Sequence, residues 1–357
     1  MRAPPDSVLI QERETEMFYG LYEGLVRPCL FQLNAETAHN VTMKMMHVMG
    51  QYSLLTGMIR QTVANRPRKV MGIEFPNPVG LAAGLDKDGV ALDALGALGF
   101  GFVEIGTVTP KPQPGNPAPR LFRVIPAEGI INRMGFNNLG VDNLVGNVRA
   151  SRYEGVLGIN IGKNKTTPLE KAEDDYLYCL EKVYQCASYV TVNISSPNTP
   201  NLRTLQHGSA LESLISALKK KQAELKNKFG RYVPLAVKLA PELDDAEIAE
   251  VCGIFKKYGV DGVIATNTTL DREIIRDMPH VTEAGGLSGK PLFKKSTEKL
   301  KKIREELKGE IPIIGVGGID SPLAAREKMA AGADLIQIYT SFIYKGPKII
   351  KDIVENI

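Results

Sequence analysis

From residue 70 onward, short apolar runs alternate with longer stretches of helical periodicity. The apolar runs lack the polar alternation of half-exposed strands, so they indicate strands buried on both faces, as in a parallel sheet. The intervening stretches place apolar residues three and four positions apart, the spacing of one helix face. Eight such units fit the roughly 250 residues of a (β/α)8 barrel, the TIM barrel of the α/β class. The predicted strands are 78–84, 101–107, 155–162, 189–195, 233–240, 262–268, 311–318 and 334–340, and the predicted helices include 88–98, 168–186, 208–228, 244–258, 294–308, 320–331 and 347–356.

A doubly wound open sheet is the main alternative to the barrel. Such a sheet usually has fewer strands and a GxGxxG turn after its first strand, which the string LAAGLDKDG does not match. Residues 108–134 interrupt the strand–helix rhythm with a proline-rich stretch and two short extended runs, RLFRVI and GIINRM. We expect this insertion to cross the top of the barrel, because long insertions in a compact domain are usually functional.

The region before the barrel has a different pattern. One predicted helix has its apolar face formed by Phe18, Leu21, Tyr22, Leu25 and Val26. Pro28 is expected to kink or end that helix, and a second, methionine-rich helix is expected to begin near Asn34 or Thr37. The two helices could form a hairpin packed on the barrel, or an amphipathic platform that touches lipid or a long apolar ligand. We therefore predict a flexible extension over 1–16, a helical region over 17–66 and a barrel over 67–357.

Composition and charge exclude several classes of protein. Lys and Arg exceed Asp and Glu by 44 − 40 = +4, so there is no strong electrostatic footprint for nucleic acid. The four cysteines form no CxxC pair and the four histidines have no ligand spacing, so neither disulfides nor a metal site are expected. No stretch approaches the roughly 20 apolar residues of a spanning helix, and the first residues do not resemble a signal peptide.

Polar residues collect where the predicted strands end. In a (β/α)8 barrel the chemistry lies at the carboxyl ends of the strands. Asparagine is disfavoured in strands, so Asn160, Asn193 and Asn267 need buried hydrogen-bond partners. One such amide would ordinarily tie a strand to a loop, whereas several on one rim favour a polar ligand. The further strand-end residues are Ala83, Lys87, Thr107, Ser195, Ser196, Asn198, Lys238, Thr266, Thr268, Gly317, Gly318, Tyr339 and Thr340.

Glycine-rich segments and one lysine suggest how a ligand is held. GVGGI and YTSF end the seventh and eighth strands, where barrels commonly bind phosphate through backbone N–H groups, and GGLSGKP could close over the same phosphate. Lys238 lies within an apolar strand and must be paired, neutralised or functional. It could form a Schiff base or act as a fixed cation beside an electron-rich cofactor. Lys87 could bind a carboxylate or be an ordinary loop lysine. If Ser196 is a base, its proton needs a relay, for which Thr199 is the nearest candidate.

Several long strings together resemble one enzyme family. They are NPVGLAAGLDKDG, EIGTVTPKPQPGNPAPRLFR, INRMGFNNLG, GINIGKNK, NISSPNTPNLRTLQ, GVIATNTT, GGLSGKPL, PIIGVGGI and IQIYTSFIYKGP. The chain from about residue 17 to its C-terminus resembles dihydroorotate dehydrogenase of the membrane-associated, quinone-using class 2, of the bacterial type. The resemblance implies a barrel that holds FMN and oxidises (S)-dihydroorotate to orotate in pyrimidine biosynthesis.

The resemblance also implies a role for each matching residue. Ser196 would remove the C5 proton, where the soluble class has cysteine, and hydride would leave C6 for flavin N5. Asparagine offers both a donor and an acceptor to the edge of a planar ring such as orotate. The substrate would be bound by Lys87, Asn132, Arg133, Met134, Gly135, Phe136, Asn193, Asn198, Asn267 and Thr268. FMN would be bound by Ala83, Gly84, Lys87, Thr107, Asn160, Asn193, Lys238, Thr266, Gly289, Gly318, Tyr339 and Thr340, with Lys238 offsetting negative charge on the N1/O2 side of the flavin.

For the N-terminal helices the resemblance implies a path by which a membrane quinone, ubiquinone or menaquinone, reaches FMN. His39, Arg123 and Tyr339 would line it. The protein would be a peripheral protein on the cytoplasmic side of the inner membrane, and a monomer that binds no nucleic acid. The remaining alternatives are a soluble fumarate- or NAD-linked relative, a lysine-dependent lyase without flavin, and a purely structural or membrane-interacting protein.

Overall fold

The computed structural model describes residue 20 and residues 22–357. All eight predicted barrel strands are present, and each pairs in parallel with its neighbours. The last strand pairs with the first, Ile336 opposite Val79, and this pairing closes the cylinder. The predicted (β/α)8 barrel is confirmed, and the open-sheet alternative is wrong. In order around the barrel the strands are β3 (Val79–Leu81), β4 (Phe102–Val108), β7 (Val156–Ile161), β8 (Tyr189–Asn193), β9 (Leu235–Leu239), β10 (Gly262–Ala265), β12 (Ile313–Val316) and β13 (Leu335–Ile338).

Helices cover the outside of the barrel, which explains why the strands read as continuous apolar runs. Nearly every strand residue is buried, on one face by helices and on the other by side chains inside the cylinder. An antiparallel pair, β1 (Arg68–Val70) and β2 (Ile73–Phe75), packs at one end, where the Phe75 ring meets Phe102 edge-on. The helices after residue 90 are α4 (Leu92–Ala97), α5 (Val141–Ala150), α6 (Ala172–Val183), α7 (Gly208–Phe229), α8 (Asp245–Tyr258), α9 (Phe293–Leu307), α10 (Pro322–Ala330), α11 (Thr340–Lys345) and α12 (Lys348–Glu355).

The insertion over the barrel forms a small sheet of its own. The two predicted extended runs are β5 (Leu121–Val124) and β6 (Gly129–Asn132), which form an antiparallel pair. The glycine segment GGLSGKP, which could close over a phosphate, contains a third strand, β11 (Gly286–Gly289), paired antiparallel with β6. Its partner lies more than 150 residues away along the chain, so local sequence could not indicate the pairing. The helices α5 and α11 were also absent from the prediction.

The N-terminal region contains three α-helices, α1 (Arg27–Gln32), α2 (Ala35–Gln51) and α3 (Ser53–Met58), after a π-helical turn at Tyr22–Val26. The prediction that Pro28 kinks or ends the first helix is corrected. Pro28 lies in the first turn of α1, where proline is tolerated because that N–H has no helical partner. Asn34 is the N-cap of α2 and accepts a hydrogen bond from the Glu36 N–H at 3.0 Å. The predicted extension 1–16, together with Phe18 and Leu21, lies outside the described residues.

Helix α2 has two different faces. Its buried face, including Met43, packs against α4, and a side chain at Gly50 would come within 3.3 Å of Asp93. The outward side of α2 and α3 carries exposed apolar side chains, among them Met45, Leu54 and Met58. No helix within 22–357 is long and apolar enough to cross a bilayer. The helices therefore pack on the barrel and also leave an apolar surface facing outward.

Candidate active site

A cavity, open at its mouth, lies at the carboxyl ends of the barrel strands. The predicted site residues converge on it, with four exceptions: Arg123, Arg133, Asn160 and Thr199 do not line the cavity. Those that do are His39, Ala83, Gly84, Lys87, Thr107, Asn132, Met134, Gly135, Phe136, Asn193, Ser196, Asn198, Lys238, Thr266, Asn267, Thr268, Gly289, Gly318, Tyr339 and Thr340. Residues that are far apart along the chain thus share one concave site at the end of the barrel where chemistry is expected.

Amide and hydroxyl side chains form a continuous chain of hydrogen bonds along one side of the cavity. Asn193 donates to Thr107 Oγ1 at 2.9 Å, and Thr107 donates to Asn160 Oδ1 at 2.6 Å. Asn267 donates to Ser195 Oγ at 2.9 Å, while its own Oδ1 accepts from the Thr268 N–H at 2.7 Å. These bonds fix which edge of each amide faces the cavity, so the rim offers donors and acceptors in set directions. Asn160 does not line the cavity but accepts the hydrogen bond of the Thr107 hydroxyl and so orients that hydroxyl.

Beneath this rim lies a fully buried carboxylate that the sequence prediction did not select. Glu104, on β4, accepts hydrogen bonds from Asn160 Nδ2 at 2.9 Å, Tyr189 OH at 2.9 Å and Gln337 Nε2 at 2.8 Å. A buried carboxylate is tolerated when it is saturated with donors in this way. Glu104 and Gln337 each interrupt an apolar strand, the same signal that singled out Lys238. That signal, applied to every strand, would have found them.

Lys238 projects from β9 into the cavity. It is buried and has no hydrogen-bond partner among the described residues, and its strand position pairs with Asn193 on β8. Burial lowers the pKa of the Lys238 ammonium, an effect that the charge of Glu104 partly opposes. An ammonium in this position, with free donors facing a cavity, can hold an electron-rich or anionic group.

Ser196 lies on the loop after β8. Its Oγ accepts from the Asn198 N–H at 3.3 Å, and the Asn198 amide donates to Asn132 Oδ1 at 3.2 Å, which ties the loop to β6. Ser196 is only 5% exposed. The predicted relay residue Thr199 is also buried but makes no side-chain hydrogen bond to Ser196. Any transfer between the two hydroxyls would need water.

An arginine outside the cavity holds this serine loop in place. Arg203 donates to the Ser195 carbonyl at 3.1 Å and to the Thr268 carbonyl at 3.2 Å, and it pairs with Glu242 at 2.9 Å. Glu242 also accepts from Thr269 Oγ1 at 2.6 Å. The cluster therefore joins the serine loop to the loop after β10, which bears Asn267. Sequence reasoning did not select Arg203 or Glu242.

At the opposite end of the cavity, glycines bring the backbone close to other elements. A side chain at Gly318 would come within 2.5 Å of the Phe293 backbone, and Gly318 has a φ of +73° that favours glycine. A side chain at Gly289 would come within 2.3 Å of the Glu128 carbonyl. Ser288 and Thr340 share a hydrogen bond at 2.9 Å beside them. This end has backbone and hydroxyl groups but little room for side chains, which suits an oxyanion such as phosphate.

His39 of α2 and the loop after β3 also line the cavity. Lys87 donates to the Gly84 carbonyl at 2.8 Å, and burial, reinforced by the charge of Arg120, lowers its pKa to about 8. Burial and the charges of Lys87 and Arg120 also lower the pKa of His39 to about 3, so its imidazole is neutral at physiological pH. Arg120 anchors α2 by an ion pair with Glu36 at 2.7 Å.

Two predicted arginines have structural contacts instead of cavity contacts. Arg123 donates to the carbonyl of Leu33 at 2.9 Å and that of Leu30 at 3.2 Å, at the end of α1, and its guanidinium lies over the Phe31 ring. Arg133 pairs with Glu283 at 2.6 Å. Both side chains connect elements around the site, because arginine can satisfy several acceptors at once.

A family model described as dihydroorotate dehydrogenase matches residues 67–357. The chain belongs to the dihydroorotate dehydrogenase family. The family resemblance predicted from the sequence is thereby confirmed.

Individual members of the dihydroorotate dehydrogenase family agree with this assignment. A dihydroorotate dehydrogenase (quinone) from Photobacterium profundum is 61% identical over 337 residues, which are 93% of this chain and 98% of that protein. The protein of the same name from Edwardsiella ictaluri is 58% identical over 341 residues, 96% and 100% of the two chains. The crystal structure of DHODH from Eimeria tenella in complex with ferulenol has a TM-score of 0.83 and 37% identity, covering 90% of each chain.

Proposed function

We propose that the protein oxidises (S)-dihydroorotate to orotate in pyrimidine biosynthesis, with FMN as its cofactor and a membrane quinone as the final electron acceptor. One observation carries the proposal: the hydroxyl of Ser196, the amides of Asn193 and Asn267 and the ammonium of Lys238 face a single cavity. The relatives named dihydroorotate dehydrogenase (quinone) support the same reaction.

The residues present fit FMN. Lys238 is a buried cation without a hydrogen-bond partner among the described residues, and family membership favours its role beside a flavin over Schiff-base chemistry. Thr107 and Thr266 would contact the flavin from the strand ends, and Asn160 would act through Thr107. The phosphate would lie among Gly289, Gly318, Tyr339 and Thr340, where the backbone approaches closely. When bound, FMN supplies the hydride acceptor and passes the electrons on to quinone.

The substrate would lie against the amide rim. Asn132, Asn193, Asn198, Asn267 and Thr268 would hold the pyrimidine ring by its polar edge, because each fixed amide presents a donor or an acceptor in one direction. Met134, Gly135 and Phe136 would form the adjoining wall. Lys87 would bind the carboxylate, and Arg133 would support the wall through its pair with Glu283.

Ser196 would act as the base. Its Oγ would take the proton from C5, and the Ser196 side chain is buried away from bulk water. A serine hydroxyl is a very weak base, so its own proton must leave at the same time. Thr199 would receive that proton through water and pass it outward.

The quinone would enter between the barrel and the N-terminal helices. His39 and Tyr339 line the cavity on that side, both neutral at physiological pH, since burial raises the pKa of Tyr339 to about 12. Arg123 would hold α1 at the entrance. The exposed apolar side chains of α2 and α3 would rest in the cytoplasmic face of the inner membrane, with the protein bound peripherally as a monomer.

Anaerobic spectroscopy tests the proposal directly. The purified protein should be yellow, and dihydroorotate should bleach its flavin absorbance without oxygen. Addition of a quinone should restore the colour. A folded, colourless preparation, or a flavin that dihydroorotate leaves oxidised, would refute the proposed reaction.

A further inference from the structure

A second buried lysine lies behind the glycine end of the cavity. Lys328, on α10, is fully buried, and its aliphatic stem packs against β12, where a side chain at Gly315 would come within 2.8 Å of Lys328 Cγ. Its ammonium lies 4.9 Å from the centre of the Phe293 ring. The proposed reaction gives this side chain no role.

The ammonium of Lys328 is connected to the glycine loop through one hydroxyl. Lys328 Nζ donates to Ser296 Oγ at 2.7 Å, and Ser296 Oγ lies 3.0 Å from the carbonyl oxygens of both Gly317 and Phe293, to either of which its hydroxyl can donate. Gly317 and Gly318 line the cavity, and a side chain at Gly317 would come within 2.7 Å of Ser296 Oγ. The cation thus lies directly behind the backbone that is proposed to hold the phosphate.

Nothing else in the described chain balances this charge. No Asp or Glu side chain within 22–357 lies within ion-pair distance of Lys328. The surface lysine Lys302, by contrast, forms an ion pair with Asp245. Burial lowers the pKa of the Lys328 ammonium to about 7. A buried cation without an anionic partner is costly, and a nearby phosphate dianion would lower that cost.

We propose that Lys328 is a positioning residue for the anionic end of the cofactor: a buried countercharge that acts through Ser296 and the Gly317–Gly318 backbone. This inference rests on the proposed binding of FMN. The inference implies that the protein binds a phosphorylated flavin in preference to the same flavin without phosphate, because the countercharge attracts only the phosphate.

Flavin release from the holoenzyme tests the inference. The protein, loaded with FMN or exchanged with riboflavin, is diluted and the rise of flavin fluorescence gives the release rate. In Lys328→Met we expect FMN release to be roughly ten- to a hundredfold faster, the size expected for loss of one charge at short range in a protein. Riboflavin release should change less than about twofold, since it carries no phosphate for the charge to attract. Lys302→Met, a surface change, should alter neither rate.

The outcomes separate this inference from the proposed function. If Lys328→Met speeds the release of both flavins by the same factor, or if neither release rate changes, the countercharge is refuted. FMN binding by the unaltered protein still stands in either case. If the unaltered protein holds no flavin, the proposed function itself fails. Should Lys328→Met not fold, Lys328→Gln provides the same test, because it keeps a donor for Ser296 but removes the charge. Lys328→Gln must likewise speed the release of FMN but not that of riboflavin.

Discussion

The barrel rim and the N-terminal helices, which contribute His39 to the lining of the same cavity, are built from different chemistry. On the rim, Asn193, Asn267 and Asn198 are each fixed by hydrogen bonds to neighbouring side chains or backbone. The helices are held by apolar packing, by the ion pair of Glu36 with Arg120 and by a few hydrogen bonds such as those from Arg123 to the end of α1, and their outward side carries several exposed apolar side chains. Directional contacts suit a small polar ring, whereas an apolar surface suits a lipid tail whose orientation need not be fixed. The rim should therefore be far less tolerant of substitution than the helices.

The largest expected effect comes from the serine on the rim. Ser196→Ala should slow flavin reduction by dihydroorotate by about 10²- to 10⁴-fold, because it removes the proposed base. Anaerobic stopped-flow absorbance measures the rate. The flavin spectrum should be unchanged, which separates loss of the base from loss of the cofactor, and Ser196→Cys should restore part of the rate. Reduction at wild-type speed by Ser196→Ala would identify another group as the base.

The next effect concerns the charge of Lys87. Because its pKa is lowered to about 8, the ammonium is charged below that pH and becomes neutral above it. The dissociation constant for orotate, followed by the flavin spectrum, should accordingly rise about tenfold per pH unit above pH 8. Lys87→Met should bind orotate weakly and without this pH dependence. Lys290→Met, at the other end of the cavity, should keep the wild-type profile, and a flat wild-type profile from about pH 7 to 9 would contradict the role of Lys87.

A smaller effect is expected from the arginine behind the rim. Arg203→Gln should lower the rate constant of flavin reduction about tenfold while changing the dissociation constant for orotate little, because misplacing a reacting group costs more in rate than in binding. Arg203 spans two carbonyls and a carboxylate, so Arg203→Lys should restore only part of the rate. Arg276→Gln, at an exposed ion pair with Glu273, is the control. Equal losses of rate and binding would indicate general disruption of the loop.

The smallest effect should come from the helices. Replacing Leu54 and Met58, whose exposed fractions are 77% and 65%, by serine should weaken binding to vesicles of bacterial lipid roughly fivefold. Flavin reduction by dihydroorotate should be unchanged. Leu139→Ser and Leu323→Ser remove comparably exposed apolar side chains from the barrel and should not affect vesicle binding. Equal effects of both pairs would argue against a dedicated membrane surface on the helices.

Much of the site could be predicted because strand ends are local features. Asn193, Lys238 and Asn267 stand out as polar residues in apolar runs, and the barrel rule brings the ends of all strands to one rim. Glu104 and Gln337 carry the same signal and were overlooked. Arg203 and Lys328 have no such signal, because lysine and arginine are ordinary residues on loops and helices.

The order of apolar runs in the sequence determined the barrel, since eight doubly buried strands separated by helices have few other ways to bury their faces. The motif strings determined the family. Only the tertiary structure decided which glycines lie in strands and which lie in loops, because the strand Gly286–Gly289 pairs with β6, a segment distant along the chain. It also decided that Arg123 and Arg133 stay out of the cavity and that Lys328 has no acidic partner among the described residues. Pairing and charge balance depend on distances in space, which spacing along the chain does not record.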